Sequence, residues 1–127
     1  TVRKLPDFDA VLPLDMLQGA AAACDILVCC IALTPETRGI VSEEIFGRLH
    51  DGVIFVNVAR GALADEAALA KWLQNAGCAV LDVFEEEPLL ESSPLWEMEN
   101  VLLTPHNSFA GEGNRARLWE TIKENLK

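Results

Sequence analysis

Apolar residues along the chain fall into two kinds of run, and the two kinds alternate. Short, nearly unbroken apolar stretches stand at residues 26–31 (ILVCCI), 53–58 (VIFVNV), 79–83 (AVLDV) and 101–103 (VLL). Such runs are too short for a buried helix and lack polar alternation, so they read as strands inside a parallel sheet. Between them lie segments with helical signals. Asp65 stands as an N-cap ahead of residues 66–75, where Ala67, Leu69, Ala70, Trp72 and Leu73 supply the apolar side chains, and Gly77 sits just past the end. Ser42 with Glu43 and Glu44 opens a helix that runs to about Leu49, and Asp51-Gly52 ends it. Asp15 reads as the N-cap of an alanine-rich helix over 16–23, residues 10–12 read as a short strand, and residues 111–126 hold a final helix. The order is strand, helix, strand, helix, strand, long loop, strand, helix. That alternation predicts an α/β fold with a parallel sheet built from crossover units.

Length and charge narrow the class. With 127 residues, half of them hydrophobic and 24% charged, the chain is one globular domain or a piece of one. A net charge of −10 and a pI near 4.5 exclude nucleic acid as a partner, because phosphate binding needs clustered Lys and Arg. No stretch has the apolar length of a membrane span, and the first residues carry no signal-peptide pattern, so a soluble cytoplasmic protein with an internal start at Thr1 is expected. Cys24, Cys29, Cys30 and Cys78 lie in apolar stretches without paired metal-ligand spacing; buried reduced thiols are expected, and no metal site.

In open parallel sheets chemistry gathers beyond the carboxyl ends of the strands. Those ends hold Leu33-Thr34, Ala59-Arg60-Gly61, Asp82 to Glu87, and Pro105-His106-Asn107. Arg60 offers a planar fork of donors of the kind that grips a carboxylate, against the alternative of a surface salt bridge. His106 can pass a proton to a carbonyl oxygen, whereas His50, at a polar helix end beside Asp51, is expected to meet only terminal carbonyls or solvent. Glu87 belongs to an acidic run, Glu85 to Glu87, that would ordinarily be a solvated face, but Pro88 fixes the backbone after it. A carboxylate there would hold one tautomer of His106 and favour its protonated form. Asp82 can accept from an amide of a cofactor, or serve a turn. Residues 111–116 match a Gly-x-Gly-x-x-Ala fingerprint, but eleven residues remain after it, too few for the strand and acid that must follow.

Read in order, Leu33-Thr34-Pro35-Glu36-Thr37-Arg38-Gly39, Val56-Asn57-Val58-Ala59-Arg60-Gly61, Leu81-Asp82-Val83-Phe84 through Glu87-Pro88-Leu89, Pro94-Leu95-Trp96 and Leu103-Thr104-Pro105-His106 resemble the D-isomer-specific 2-hydroxyacid dehydrogenase family. The resemblance covers residue 10 to the end. It implies a Rossmann-like parallel sheet with helices on both faces, here incomplete, with the first βαβ unit and the substrate domain absent, so that residues 1–127 are a partial dinucleotide-binding domain. It also implies that Arg60 binds the substrate carboxylate, that His106 is the acid/base, and that Glu87 pairs with that histidine. Asp82 would face the nicotinamide carboxamide, with Leu33, Thr34, Val58 and Ala59 along the cofactor. Arg3 or Lys4 would meet a ribose 2′-phosphate, which favours NADP over NAD.

The implied activity is NAD(P)-dependent interconversion of a 2-oxo acid and a D-2-hydroxy acid, by a homodimer when full length. A related formate dehydrogenase pattern has glutamine where this chain has Glu87, which disfavours formate. Asn107-Ser108-Phe109 departs from the small residue usual after the histidine and points to an altered substrate pocket. A corepressor-like module that keeps the triad and only senses NAD(P) is the rival reading, and the 127 residues alone are expected to be inactive.

Overall fold

The computed structural model describes residues 7–107 and 110–126. Four strands form one parallel sheet: β1 (Ile26–Cys29), β2 (Ile54–Asn57), β3 (Cys78–Leu81) and β4 (Val101–Leu103), in the spatial order β1-β2-β3-β4. Ile26 pairs with Ile54, Ile54 with Cys78, and Ala79 with Val101. The helices are α1 (Leu17–Ala21), entered through a 3₁₀ turn at Leu14–Met16, then α2 (Glu43–Phe46), α3 (Glu66–Leu73) and α4 (Asn114–Asn125).

Period-two side-chain alternation decides what each strand buries. Val53, Phe55, Ala79 and Leu81 turn to a core shared with α2 and α3, while Ile26, Val28, Ile54 and Leu102 are exposed. Phe46 sets the centre of that core. Its ring meets Phe55 edge-on at 5.3 Å and stacks on Trp72 at 5.5 Å. Burial of Phe46 and Phe55 contributes about 1.5–3 kcal/mol each. A parallel strand followed by a right-handed crossover to its neighbour places the crossover on one side, and a sheet that grows in a single direction repeats that side. The expected parallel Rossmann-like sheet is therefore present with α1, α2 and α3 gathered on one face; the other face is uncovered among the described residues.

Several local expectations change. Residues 10–12 form no strand, and the helix expected over 16–23 shortens to α1, with Asp15 inside the preceding 3₁₀ turn rather than at its cap. Ser42 occupies the N-cap of α2 without a side-chain capping bond, and α2 ends at Phe46. Asp65 does cap α3, accepting from the Ala68 N–H at 2.9 Å. The thiols also differ from expectation. All four are free, but only Cys29 is buried, which pushes its thiol up to about 11, while Cys30 and Cys78 are exposed. Cys30 lies just past the last residue of β1 and does not share the burial of Cys29.

Candidate active site

The loop leaving β2 is shaped by a buried amide. Asn57, 2% exposed, donates from Nδ2 to the Arg60 carbonyl at 3.0 Å and accepts at Oδ1 from the Ala59 N–H at 3.2 Å. This closes the chain on itself and leaves Arg60 exposed at the sheet's carboxyl edge, with Nη1 on the Ala59 carbonyl at 2.6 Å. Gly61 then presses against the next loop. A Cβ there would lie 1.9 Å from the Phe84 carbonyl carbon, so only glycine allows this approach. Asn57 and Gly61 thus bring Arg60 beside the loop that carries Glu87. Neither was a candidate from the sequence, although a lone amide inside the VIFVNV run was the available signal.

Glu87 and His106 meet as expected. The carboxylate Oε2 lies 2.7 Å from His106 Nδ1, and Oε1 accepts from the Phe84 N–H at 3.1 Å. The peptide between Glu87 and Pro88 is cis. The hydrogen bond from His106 outweighs the opposing effect of burial and holds the Glu87 carboxyl below its usual range, and the Phe84 N–H and the charge of Arg60 make smaller contributions in the same direction. Because Nδ1 is committed to Glu87, Nε2 is the ring nitrogen available to a ligand. Of the other acidic residues in the run, Glu85 uses its backbone N–H to bind Glu66 Oε2 at 3.1 Å. His50 sets Nδ1 2.9 Å from the Asp51 carbonyl, as expected, but its Nε2 also lies 3.6 Å from Asp25 Oδ1, a carboxylate contact beyond the carbonyls and solvent expected of it.

His106 has a left-handed backbone, φ 51°, which is uncommon outside glycine. Asp82, 1% exposed, lies beneath it. One oxygen, Oδ1, accepts from the Thr104 hydroxyl at 2.5 Å and from the Asn107 N–H at 2.9 Å. Oδ1 thus ties the end of β3 to the loop that follows β4.

Around these groups, Phe84, Leu89, Trp96 and Leu103 line a largely apolar cavity of about 580 Å³ that opens against Glu87 and His106. Leu33 and Ala59 are half-buried, and Val58 is 39% exposed, so the carboxyl ends of β1 and β2 present open apolar surface next to Arg60. That surface fits the flat, weakly polar ring of a nicotinamide. Thr34 is exposed and turned into a tight bend, its N–H bound to Thr37 Oγ1 at 2.8 Å. The phosphates of a dinucleotide need a glycine turn at a helix N-terminus. Among the described residues the glycine pair at 111–113 opens α4, which no described strand follows. Arg3, expected near a ribose phosphate, lies outside the described residues. No group of three or more His, Cys, Asp or Glu among the described residues can hold a metal ion, and no described helix is long and apolar enough to cross a membrane.

Comparison with known proteins agrees with this arrangement. The family model described as D-isomer specific 2-hydroxyacid dehydrogenase, NAD binding domain, matches residues 4–108. A glyoxylate/hydroxypyruvate reductase B of Salmonella gallinarum is 42% identical over 113 residues, covering 87% of this chain and 34% of that protein. A glyoxylate reductase of Korarchaeum cryptofilum is 41% identical over 101 residues, covering 76% of this chain and 30% of the relative. Among solved structures, a D-isomer specific 2-hydroxyacid dehydrogenase from Xanthobacter autotrophicus Py2, in complex with NADPH and MES, superposes with a TM-score of 0.82 at 40% identity, over 99% of this chain and 54% of that one. The chain thus spans about a third of the length of these two curated relatives. With a matching family model over most of its length and a site assembled from that family's motifs, the chain belongs to the D-isomer specific 2-hydroxyacid dehydrogenases, as part of their NAD-binding domain.

Proposed function

We propose that the whole protein is an NAD(P)-dependent oxidoreductase that interconverts a small 2-oxo acid and the corresponding D-2-hydroxy acid, with Arg60, Glu87 and His106 as its catalytic residues. The observation that carries this reading is the 2.7 Å contact between His106 and Glu87 beside the exposed guanidinium of Arg60. When bound, the nicotinamide supplies the hydride to the substrate's carbonyl carbon or accepts it in return. Arg60 grips the substrate carboxylate through two parallel hydrogen bonds and so fixes the neighbouring carbonyl. His106 gives a proton from Nε2 to the carbonyl oxygen as it becomes a hydroxyl, and takes it back in the reverse direction. Glu87 holds the ring in orientation and balances its charge.

Leu33, Thr34, Val58 and Ala59 are the cofactor-side surface in this reading. NAD and NADP are both compatible with it, and the NADPH in the Xanthobacter structure lends support to the latter. A glyoxylate-like or hydroxypyruvate-like acid is the proposed substrate, by analogy with the reductases named above, and a homodimer in the cytoplasm is the proposed working form.

The test is NADH or NADPH oxidation by the full-length protein with glyoxylate, hydroxypyruvate and pyruvate. Turnover of one of them is expected. His106→Ala should lower kcat by about a hundredfold or more, and Arg60→Ala should raise KM for the acid and lower kcat together. Tight cofactor binding without turnover of any 2-oxo acid would instead favour an NAD(P)-sensing module, and near-normal rates in the His106 variant would end the acid/base assignment.

A further inference from the structure

We propose that Thr104 and Asp82 are positioning residues for His106, together forming a clamp that grips the backbone on both sides of the histidine. This rests on the reading of His106 as the proton donor. A histidine at φ 51° is not where an unconstrained chain settles, and such a conformation persists when its surroundings over-determine it. Here the surroundings are specific. Thr104 is fixed to the sheet through its N–H on the Leu81 carbonyl at 2.9 Å. Its own carbonyl accepts from the His106 N–H at 3.1 Å, which closes a tight turn around Pro105. The Thr104 hydroxyl and the Asn107 N–H then converge on one oxygen of Asp82.

A single carboxylate oxygen therefore ties the residue two before His106 to the residue just after it, across the left-handed position. The oxygen belongs to a side chain 1% exposed at the end of β3, so the clamp is anchored in the sheet and shielded from water. Hydrogen bonds to an ionised acceptor in such surroundings are the strong ones. The ring is fixed separately, by Glu87 at Nδ1. Backbone and ring thus have independent restraints, and Nε2 is held where a substrate oxygen must meet it. Through this oxygen Asp82 acts on the reaction by way of His106.

The discriminating variant is Thr104→Val in the full-length enzyme, which removes the hydroxyl while keeping the side chain's shape. It should lower kcat for 2-oxo acid reduction by about tenfold, the worth of one hydrogen bond to a charged group. KM for NAD(P)H should stay within about twofold, since cofactor binding is untouched. Thr104→Ser, which restores the hydroxyl, should recover most of the turnover. If Thr104→Val fails to fold, Thr104→Ser decides alone, and a loss of turnover as large as tenfold there overturns the clamp. Wild-type kcat in Thr104→Val overturns it, as does a loss confined to the cofactor's KM. His106→Ala is measured in parallel. If it keeps the wild-type rate, the proton assignment fails and takes the clamp with it; if it is inactive while Thr104→Val is normal, the clamp alone is wrong.

Discussion

Glu87 has two engaged oxygens, one on His106 and one on the Phe84 N–H, whereas Glu85 meets the protein through its backbone. Neutralising the first should therefore matter and neutralising the second should not. Glu87→Gln is expected to move the pH profile of 2-oxo acid reduction toward lower pH, because an amide cannot balance the positive charge His106 carries when it is ready to donate. If Glu85→Gln gives that shift and Glu87→Gln does not, the pairing is misassigned. The same contact has a stability signature. Since the folded Glu87 carboxyl titrates below its unfolded value, the pair's stabilisation is fully present above glutamate's ordinary value of about 4.3 and is lost as pH falls through the lower, folded one. Melting temperatures of wild type and Glu87→Gln should consequently converge in acid. At this scale the sequence exposed Glu87 through Pro88 and His106 through its strand-end setting. Asn57 and Thr104 stayed hidden because their partners, the loop backbone beyond β2 and the carboxylate of Asp82, are defined only by the folded chain.

Between elements, two glycines mark the closest approaches. At Gly61 an added Cβ would stand 1.9 Å from the Phe84 backbone, and at Gly77 it would stand 2.2 Å from the Trp72 ring and 2.7 Å from the Val53 carbonyl, with φ at 71°. Alanine at either position forces neighbours apart, but different ones. Gly61→Ala separates the loops of Arg60 and Glu87 and should cut turnover. Gly77→Ala disturbs the entry to β3 and should destabilise by about 1–3 kcal/mol or more, from overpacking and a strained φ. Urea denaturation alongside initial rates checks both, and full activity in Gly61→Ala would contradict the role given to that approach. The strands were readable because unbroken apolar runs have few other uses. Element lengths were less so. The helix expected to reach about Leu49 stops at Phe46, although Leu49 is still buried, because packing continues past the last helical hydrogen bond. Residues 10–12 had the composition of a strand and found no partner among the described residues.

For the molecule as a whole, the uncovered sheet face sets the terms. Ile26, Val28, Ile54 and Leu102 lie exposed across it, and the described residues offer no glycine turn for a pyrophosphate. The 127-residue stretch made by itself should accordingly bind NADH and NADPH poorly and turn over no substrate despite holding Arg60, Glu87 and His106. Calorimetric titration is the measurement, and a micromolar dissociation constant, on the order of −8 kcal/mol, would contradict it. One-sided helices were not legible from the apolar runs, since a strand covered on one face and a strand covered on both have the same composition when the second cover is missing from view. The strand order carries a different consequence. Because spatial order repeats chain order, distance along the polypeptide becomes distance along the sheet's edge, at about 4.8 Å for each strand. Leu33 and Thr34, then Arg60, then Asp82 with Glu87, and then His106 stand in that sequence like marks on a ruler. A ligand lying along the edge is read from one end to the other in the order the chain was made.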